Sequence, residues 1–317
     1  MEFRKLGTSG INVAPLAFGG NVFGWTVDES TSFALLDAFV DAGFNLIDTA
    51  DVYSAWAPGH SGGESETIIG KWMKARGNRE KVVVATKVGM EMGPGKKGLS
   101  KSYIAEAAEA SLRRLQTDYI DVYQSHRDDE ETPQLETLEA YAELIKAGKV
   151  RTIGASNFSA ERLASALAIS KETGLPTYAT LQPLYNLYNR EEFERYLAAV
   201  CLEHNVGVIP YYALAAGFLT GKYRTEADLT KSPRGSSAKR YLNDRGLKIL
   251  AALDDVAASI GSTPGKVAVA WLMSRPAITA PIASATNLEQ LHDLIDATKL
   301  TLDEAAIETL GDASSWP

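Results

Sequence analysis

The chain has 317 residues, of which 45% are hydrophobic and 23% are charged, as is typical of a soluble globular protein. Its formal net charge of −8 argues against nucleic acid as a partner, because nucleic-acid binding needs a basic face. No apolar signal region follows the first residues, and no apolar run approaches the roughly 18 to 20 residues that cross a bilayer. We therefore expect no membrane contact and a cytoplasmic location.

The first predicted elements form a β-hairpin, with short strands at 3–6 and 11–13 and a turn-rich connection at 7–10. Short apolar runs then alternate with helical periods. Eight strand-like runs follow at 16–18, 45–47, 82–86, 120–123, 152–154, 179–181, 206–209 and 278–282. This alternation predicts an α/β fold, a closed (β/α)8 TIM barrel, with an open doubly wound sheet as the alternative. We expect residues 1–317 to form a single domain.

Helices are predicted where apolar residues recur at a helical period between the strands. Three such sets are Ile104, Ala108, Leu112 and Leu115; Leu135, Leu138, Ala142 and Ile145; and Leu250, Leu253, Ala257 and Ile260. Ser100, Ser159 and Thr263 stand where helix caps are expected. The single cysteine, Cys201, lies on an apolar helical stripe, which favours a packing role and excludes an intramolecular disulfide.

Two long stretches without a clear period, 54–63 and 221–243, each follow a predicted strand. Long loops in compact domains are usually functional or disordered, and barrel active sites lie at the carboxyl ends of the strands. We therefore expect both stretches to border the site. Residues 93–98 match the pattern G-x-G-x-x-G, but they do not follow a strand end directly. We interpret them as a solvent-exposed loop.

Four polar residues stand at or just past the ends of the second, third and fourth runs: Asp48, Tyr53, Lys87 and His126. In a parallel barrel these ends meet at one mouth, so the four side chains should converge. A nearby cation lowers the pKa of a phenol, and Lys87 would supply it while Asp48 holds the lysine in place. Such a group suits proton donation to an oxygen that gains negative charge, as when a carbonyl accepts hydride. The four histidines form no His-x-His or His-Glu-x-x-His pair, so no metal site is predicted.

Several segments around these residues resemble the aldo-keto reductase family. They are 45–53 (NLIDTADVY), 85–87 (ATK), 121–126 (DVYQSH) and 148–158, which contains GKVR and GASNF. The resemblance implies a carbonyl reductase or alcohol dehydrogenase that transfers hydride from NADPH to an aldehyde or ketone. Tyr53 would be the general acid, Lys87 and Asp48 would tune it, and His126 would orient the carbonyl.

The resemblance also implies NADPH (NADP+) as the cofactor, with NADH as the alternative, and a set of cofactor-binding residues. These are Ser156, Asn157 and Gln182 for the nicotinamide carboxamide, Tyr211 for stacking on the ring, Leu214 and Gly217 for the pyrophosphate, Lys222 or Arg240 for further positive charge, and Ser284, Thr286 and Gln290, with Asn287 close by, for the adenosine ribose. Two positions depart from the family pattern. Tyr212 replaces a common serine, and Ser284-Ala285-Thr286 replaces sequences such as Gly-Ala-Arg, whose arginine would bind a 2′-phosphate.

The candidates for the substrate wall are aromatic: Phe23, Trp25, Trp56, Tyr185 and Tyr188. Trp25 and Trp56 are favoured because they lie in loops after strands. An aromatic mouth favours a ring-bearing aldehyde or ketone. A nicotinamide-sensing regulatory subunit on the same fold is the alternative function. The sequence does not identify the physiological substrate or the oligomeric state.

Overall fold

Eight parallel strands form a ring in the computed structural model, which describes residues 2–316. They follow the antiparallel hairpin of β1 (Arg4–Lys5) and β2 (Asn12–Val13). The parallel strands are β3 (Ala17–Gly19), β4 (Leu46–Asp48), β5 (Val83–Val88), β6 (Ile120–Ser125), β7 (Val150–Ser156), β8 (Tyr178–Gln182), β9 (Gly207–Val208) and β10 (Ile282–Ala283). Neighbours pair in chain order from β3 to β9, and β10 pairs with β3. A bridge between Val208 and Ile278 joins the segment before β10 to β9 and closes the ring. The predicted (β/α)8 barrel with an N-terminal hairpin is confirmed.

Helices surround the strands and supply the outer layer of the barrel. They are α1 (Glu29–Asp41), α2 (Glu64–Arg76), α3 (Lys101–Leu115), α4 (Gln134–Lys146), α5 (Ala160–Thr173), α6 (Ala198–Glu203, preceded by the π-helical turn Phe193–Leu197), α7 (Gly235–Ala238), α8 (Asp244–Ser259), α9 (Pro264–Met273), α10 (Leu288–Ala297) and α11 (Glu304–Ala313). At several starts a side-chain oxygen accepts an otherwise unpaired N–H of the first turn. These caps are Asp28, Ser100, Ser159, Asn243, Asn287 and Asp303. Thr263 makes no such bond, and Pro264 with its fixed φ begins α9 instead.

The hydrophobic core has two layers. The larger cluster lies between the strands and the helices, and a smaller one fills the barrel. Leu6, Ile11 and Val13 of the hairpin belong to the inner cluster together with Leu46 and Val83, early residues of β4 and β5. The hairpin therefore closes the end of the barrel at which the strands begin, and the opposite end stays available for a site.

Helix α4 buries a different face from the one that the apolar period predicts. Leu138 is buried, but Leu135 is 42% exposed and Ile145 is only partly buried. Tyr141 and Leu144 take the inner positions instead. Tyr141 can be buried because its hydroxyl bonds with Ser125 at 2.8 Å, a partner that the helix sequence alone does not reveal.

Two further predictions need refinement. The last run, 278–282, forms a strand only at its end, because Pro281 has no N–H to donate to a ladder. The stretch 221–243 is not irregular throughout, since it contains the 3-10 turn Glu226–Lys231 and helix α7. At Gly235 an added Cβ would lie 1.6 Å from the carbonyl oxygen of Leu229, so only glycine permits this packing. Within residues 2–316, the helices are all too short or too polar to span a membrane.

Candidate active site

The carboxyl ends of three neighbouring strands bring the predicted polar residues to one place. Asp48 is the last residue of β4, Lys87 is the next to last of β5, and His126 follows β6 directly. Tyr53 reaches the same point from the turn after β4, where its N–H donates to the carbonyl oxygen of Ala50 at 3.2 Å. The structure therefore brings together the four side chains that the sequence predicts to converge.

The ammonium group of Lys87 is the centre of this cluster. It donates to Asp48 Oδ2 at 2.8 Å, to the carbonyl oxygen of Thr49 at 2.7 Å and to Tyr53 Oη at 2.8 Å. The three bonds use all three protons of the ammonium group. Tyr53 Oη also donates to Asp48 Oδ2 at 3.2 Å. Because Lys87 is fully buried, these contacts hold the phenol in one position.

The protonation state of Tyr53 follows from its burial. Burial and the negative charge of Asp48 hold the pKa of Tyr53 well above its ordinary value. The sequence predicts that Lys87 lowers the pKa of Tyr53, but burial and Asp48 both raise this pKa and their effect prevails. Burial also lowers the pKa of Lys87, against the influence of Asp48. Tyr53 thus carries its proton at neutral pH, which is the form that a proton donor needs.

His126 lies beside the phenol in a neutral state. Its ring centre is 6.0 Å from that of Tyr53. Burial, and then the positive charges of Lys87 and Arg127, hold the pKa of His126 well below its ordinary value. Its Nδ1 atom is buried and has no hydrogen-bond partner among residues 2–316. A neutral imidazole carries one N–H and can donate it to a substrate oxygen.

The residues predicted to hold the nicotinamide carboxamide, together with the predicted stacking residue Tyr211, form a hydrogen-bonded group next to His126. Asn157 Nδ2 donates to the carbonyl oxygen of His126 at 2.9 Å and to Ser156 Oγ at 3.1 Å. Tyr211 Oη donates to Asn157 Oδ1 at 2.8 Å, and Ser156 Oγ donates to the carbonyl oxygen of Gln182 at 2.9 Å. The four predicted residues therefore meet at one edge of the cluster around Lys87.

Gln124 also belongs to this cluster, although no motif in the sequence points to it. Gln182 Nε2 donates to Asp48 Oδ1 at 2.8 Å and to Gln124 Oε1 at 3.3 Å, and the Gln124 amide approaches Asp48 Oδ1 at 3.5 Å. Gln124 is fully buried in β6, two residues before His126. The available sequence signal was an amide side chain in a buried strand. Such an amide must find its hydrogen-bond partners on neighbouring strands.

The segment after β9, which is predicted to contact the pyrophosphate, contains a left-handed turn with a lysine side chain next to it. Leu214 precedes the 3-10 turn Ala215–Thr220, in which Ala216 and Gly217 adopt left-handed conformations with φ of 57° and 87°. Tyr212 is also left-handed, at φ 57°. An added Cβ on Gly217 would lie 3.1 Å from Lys222 Nζ. The Lys222 amine therefore lies directly against this turn.

The stretch 221–243 carries six cationic side chains, and half of them lack an acidic partner. Arg224, Lys231 and Lys239 form ion pairs with Asp254, Asp228 and Glu226. Lys222, Arg234 and Arg240 form no ion pair within the part of the chain that the structure describes. Such unpaired cations are available for an anionic ligand.

Arg234 is the most confined of these cations, although no motif in the sequence points to it. Its guanidinium lies 5.9 Å from the ring centre of Trp25, and burial lowers its pKa. The ionisable groups that act on its charge are the phenols of Tyr53, Tyr212 and Tyr223. Arg240 lies 5.4 Å from the ring of Tyr212. The turn-rich segment around Arg234 offered a weak signal only.

The residues predicted for the adenosine end lie at the start of α10. Thr286 donates its N–H and its hydroxyl to Gln290 Oε1 at 3.0 and 3.1 Å, and Asn287 caps the helix. Ser284 Oγ donates to Asn21 Oδ1 at 2.7 Å. Thr286 also lines a cavity of about 470 Å³ together with Trp25. The residues predicted for the adenosine end therefore adjoin the loop that carries Trp25.

The candidate aromatic residues divide into two groups. Trp25 packs on Trp56 with ring centres 5.7 Å apart, and Trp56 lies 6.0 Å from Tyr53 and is 49% exposed. Phe23 and Tyr185 are fully buried in the outer core, and Tyr188 is partly buried against it. Trp25 and Trp56 thus form the wall nearest to the phenol. Among residues 2–316 there is no group of three or more His, Cys, Asp or Glu side chains that could hold a metal ion.

The chain is similar in sequence to a known protein family along most of its length. A family model described as the Aldo/keto reductase family matches residues 15–314. The chain is 37% identical to "Uncharacterized oxidoreductase YrpG" of Bacillus subtilis, over 100% of this chain and 97% of that protein. It is 33% identical to "Aldo-keto reductase YhdN" of the same organism, over 98% and 93% of the two chains. It is 34% identical to a "Probable voltage-gated potassium channel subunit beta" of Oryza sativa, over 94% and 91%.

Proposed function

Because the chain belongs to the aldo/keto reductase family of oxidoreductases, we propose that it reduces an aldehyde or ketone to the alcohol with NADPH, in one domain that covers residues 1–317. The observation that carries this proposal is the bonding of Lys87, whose ammonium contacts both Asp48 and Tyr53 at 2.8 Å. A protonated phenol beside a buried cation is suited to donate its proton as a substrate oxygen becomes negative.

Each residue of the cluster has a distinct task in this reaction. A bound nicotinamide cofactor would supply the hydride. Tyr53 donates its phenolic proton to the substrate oxygen, and the adjacent Lys87 stabilises the phenolate that remains. Asp48 holds Lys87 in position and charged. Neutral His126 donates a second hydrogen bond to the same oxygen and thereby orients the carbonyl, while Trp25 and Trp56 contact the rest of the substrate.

Two sets of residues support the binding of a nicotinamide cofactor: polar side chains for the nicotinamide, and cationic side chains for the phosphates. Ser156, Asn157, Gln182 and Tyr211 would hold the nicotinamide, and Leu214, Gly217 and Lys222 would hold the pyrophosphate. Arg234 and Arg240 lie on the same stretch and have no acidic partner among the described residues, which supports a phosphate-bearing ligand. Ser284, Thr286 and Gln290 would contact the adenosine ribose. We favour NADPH over NADH, because these free cations suit an additional phosphate.

A second candidate function is a regulatory subunit that senses the nicotinamide cofactor. The observation that favours it is the 34% identity to a protein named as a potassium channel subunit beta. Both functions require cofactor binding, so the cofactor residues do not discriminate between them. Only the first function requires turnover of a carbonyl substrate, so a turnover assay discriminates between them.

The test replaces Tyr53 by Phe, which removes only the hydroxyl. With NADPH and a panel of aromatic aldehydes and ketones, we expect kcat to fall by about 100-fold or more, because general-acid catalysis is lost. The affinity for NADPH, measured by fluorescence titration, should stay within about two-fold. Tyr196→Phe, at an exposed tyrosine, is the control. Unchanged turnover in Tyr53→Phe would refute the assignment, and NADPH binding without turnover of any carbonyl would favour the regulatory function.

A further inference from the structure

Asn186 is a fully buried amide that the proposed reaction does not use. It lies in the loop after β8. A buried amide needs hydrogen-bond partners for its oxygen and for its NH2 group. Those of Asn186 come from two places, its own loop and the segment after β9.

The side-chain oxygen of Asn186 closes its own loop. Oδ1 accepts the N–H groups of Tyr188 and Asn189 at 2.8 and 2.9 Å, and the backbone N–H of Asn186 donates to the carbonyl oxygen of Asn189 at 3.3 Å. Asparagine often stabilises a turn in this way. Because a backbone N–H can only donate, the side-chain oxygen must face these two groups. The NH2 group of Asn186 therefore faces the segment after β9.

The NH2 group of Asn186 holds the carbonyl group of Tyr212. Nδ2 donates to this carbonyl oxygen at 2.9 Å, and the N–H of Ala215 donates to the same oxygen at 2.7 Å. These two bonds use both lone pairs of the oxygen. The peptide group after Tyr212 is thus fixed from the β8 loop on one side and from its own turn on the other.

The fixed peptide group begins a strained segment, 212–217. Tyr212, Ala215 and Ala216 have φ of 57°, 48° and 57°, in the left-handed region that residues with a side chain rarely adopt. Such conformations are unfavourable and persist only where the surrounding structure holds them. The bond from Asn186 is a hold of this kind, made from outside the segment.

The same bond sets the direction of an N–H group. The peptide between Tyr212 and Ala213 is trans, so the N–H of Ala213 points away from the carbonyl that Asn186 holds. Ala213 is buried, yet its N–H donates to no backbone oxygen within residues 2–316. A buried N–H without a protein acceptor is suited to bind an anionic oxygen of a ligand.

We propose that Asn186 is a positioning residue for the cofactor pyrophosphate, which holds the segment 212–217 in its binding conformation before the cofactor arrives. A segment that is already ordered loses less conformational entropy on binding, so the affinity is higher. This inference rests on the proposed function, because it assumes that Leu214 and Gly217 contact the pyrophosphate of a nicotinamide dinucleotide.

The direct test is Asn186→Ser. The serine hydroxyl can still accept an N–H of the β8 loop, but it is too short to reach the carbonyl of Tyr212. We expect the Kd values for NADPH and NADH, measured by fluorescence titration, to rise by the same factor of about ten, because both nucleotides carry the pyrophosphate. The kcat at saturating NADPH should stay within about two-fold, since Asn186 bonds to none of the four proposed catalytic residues.

The matched control is Asn205→Ser. Asn205 is exposed and lies just before β9, at the end of the barrel where the strands begin, so its nucleotide affinities should not change. Unchanged affinities in Asn186→Ser would overturn the proposal. Weakening of NADPH alone would also overturn it, because that result would point to the 2′-phosphate. If Asn186→Ser does not fold, Asn186→Thr, which fills more of the space, decides by the same criteria.

Hydrogen exchange of the nucleotide-free protein gives a readout that does not depend on the cofactor. The N–H groups of Ala215, Gly217 and Leu219 bond within this part of the chain, and in Asn186→Ser they should exchange about ten-fold faster. Unchanged exchange, or a loss of stability in urea with normal nucleotide affinity, overturns the inference. Faster exchange in a protein whose unmodified form binds neither nucleotide overturns the proposed function instead.

Discussion

Asn157 shows how a single residue can hold several parts of the site together. Its φ of 55° lies in the left-handed region, which asparagine adopts more readily than most side chains do. In this conformation its amide contacts His126, Ser156 and Tyr211 at once. One strained residue therefore joins the cluster around Lys87 to the residues proposed to bind the nicotinamide, and strain of this kind is often found at functional sites.

Arg234 permits a prediction at the same scale. Arg234→Gln removes the positive charge and keeps much of the side-chain length. We expect the Kd for NADPH to rise about ten-fold, because a charge-assisted bond to phosphate is lost. Quenching of tryptophan fluorescence during nucleotide titration measures this, and Trp25 lies close enough to report it.

Two comparisons sharpen the Arg234 experiment. Arg224→Gln is the control, since Arg224 is exposed and already pairs with Asp254, and its nucleotide affinity should not change. Equal weakening of NADPH and NADH would assign Arg234 to the pyrophosphate, and weakening of NADPH alone would assign it to the 2′-phosphate. If Arg234→Gln bound both nucleotides normally, a role in cofactor binding would be excluded.

At the scale of elements, the close contact of α2 with α3 fixes the charges behind the site. α2 carries Glu66, and α3 carries its partner Arg114. Gly70 makes the approach possible, because an added Cβ would lie 2.2 Å from the carbonyl oxygen of Arg114. The buried ion pair thus depends on backbone contact between two helices.

Gly70→Ala should separate these helices. We expect the free energy of unfolding to fall by about 1–3 kcal/mol, the usual cost of overpacking, as measured by urea denaturation. Gly311→Ala is a matched control, since Gly311 lies in α11 with nothing within 4 Å of an added Cβ. That substitution should stabilise the protein by up to about 1 kcal/mol through helix propensity. Similar effects of the two substitutions would show that the α2–α3 contact is not tight.

At the scale of the whole molecule, the two ends of the barrel have different roles. The proposed catalytic cluster of Asp48, Tyr53, Lys87 and His126 lies at the carboxyl ends of the strands. Near the other end Asp121, the second residue of β6, is fully buried and accepts hydrogen bonds from Arg79 and Arg151, both at 2.6 Å. Its carboxylate also accepts the N–H of Val84 in β5. These contacts link neighbouring strands and are far along β6 from His126, so we expect them to support stability and not chemistry.

Asp121→Asn tests whether this end of the barrel supports stability and not chemistry. Removing the charge leaves two arginines without their buried partner, and we expect the free energy of unfolding to fall by about 3 kcal/mol. Asp37→Asn, at a partly exposed pair with Arg76, should change it by less than about 1 kcal/mol. Urea denaturation measures both, and kcat of the folded Asp121→Asn enzyme should equal that of the unmodified enzyme. A large loss of kcat without a loss of stability would contradict the assignment.

The sequence by itself determined the barrel and the convergence of Asp48, Tyr53, Lys87 and His126. Strand–helix alternation is a local pattern, and a parallel barrel converts a position at a strand end into a position at one mouth. Only the tertiary structure revealed the bond from Asn186 to Tyr212, because the two residues follow different strands and are distant in the sequence. The buried face of α4 and the unpaired state of Arg234 were hidden for the same reason. Burial and charge balance depend on which side chains pack together, and no local pattern encodes that.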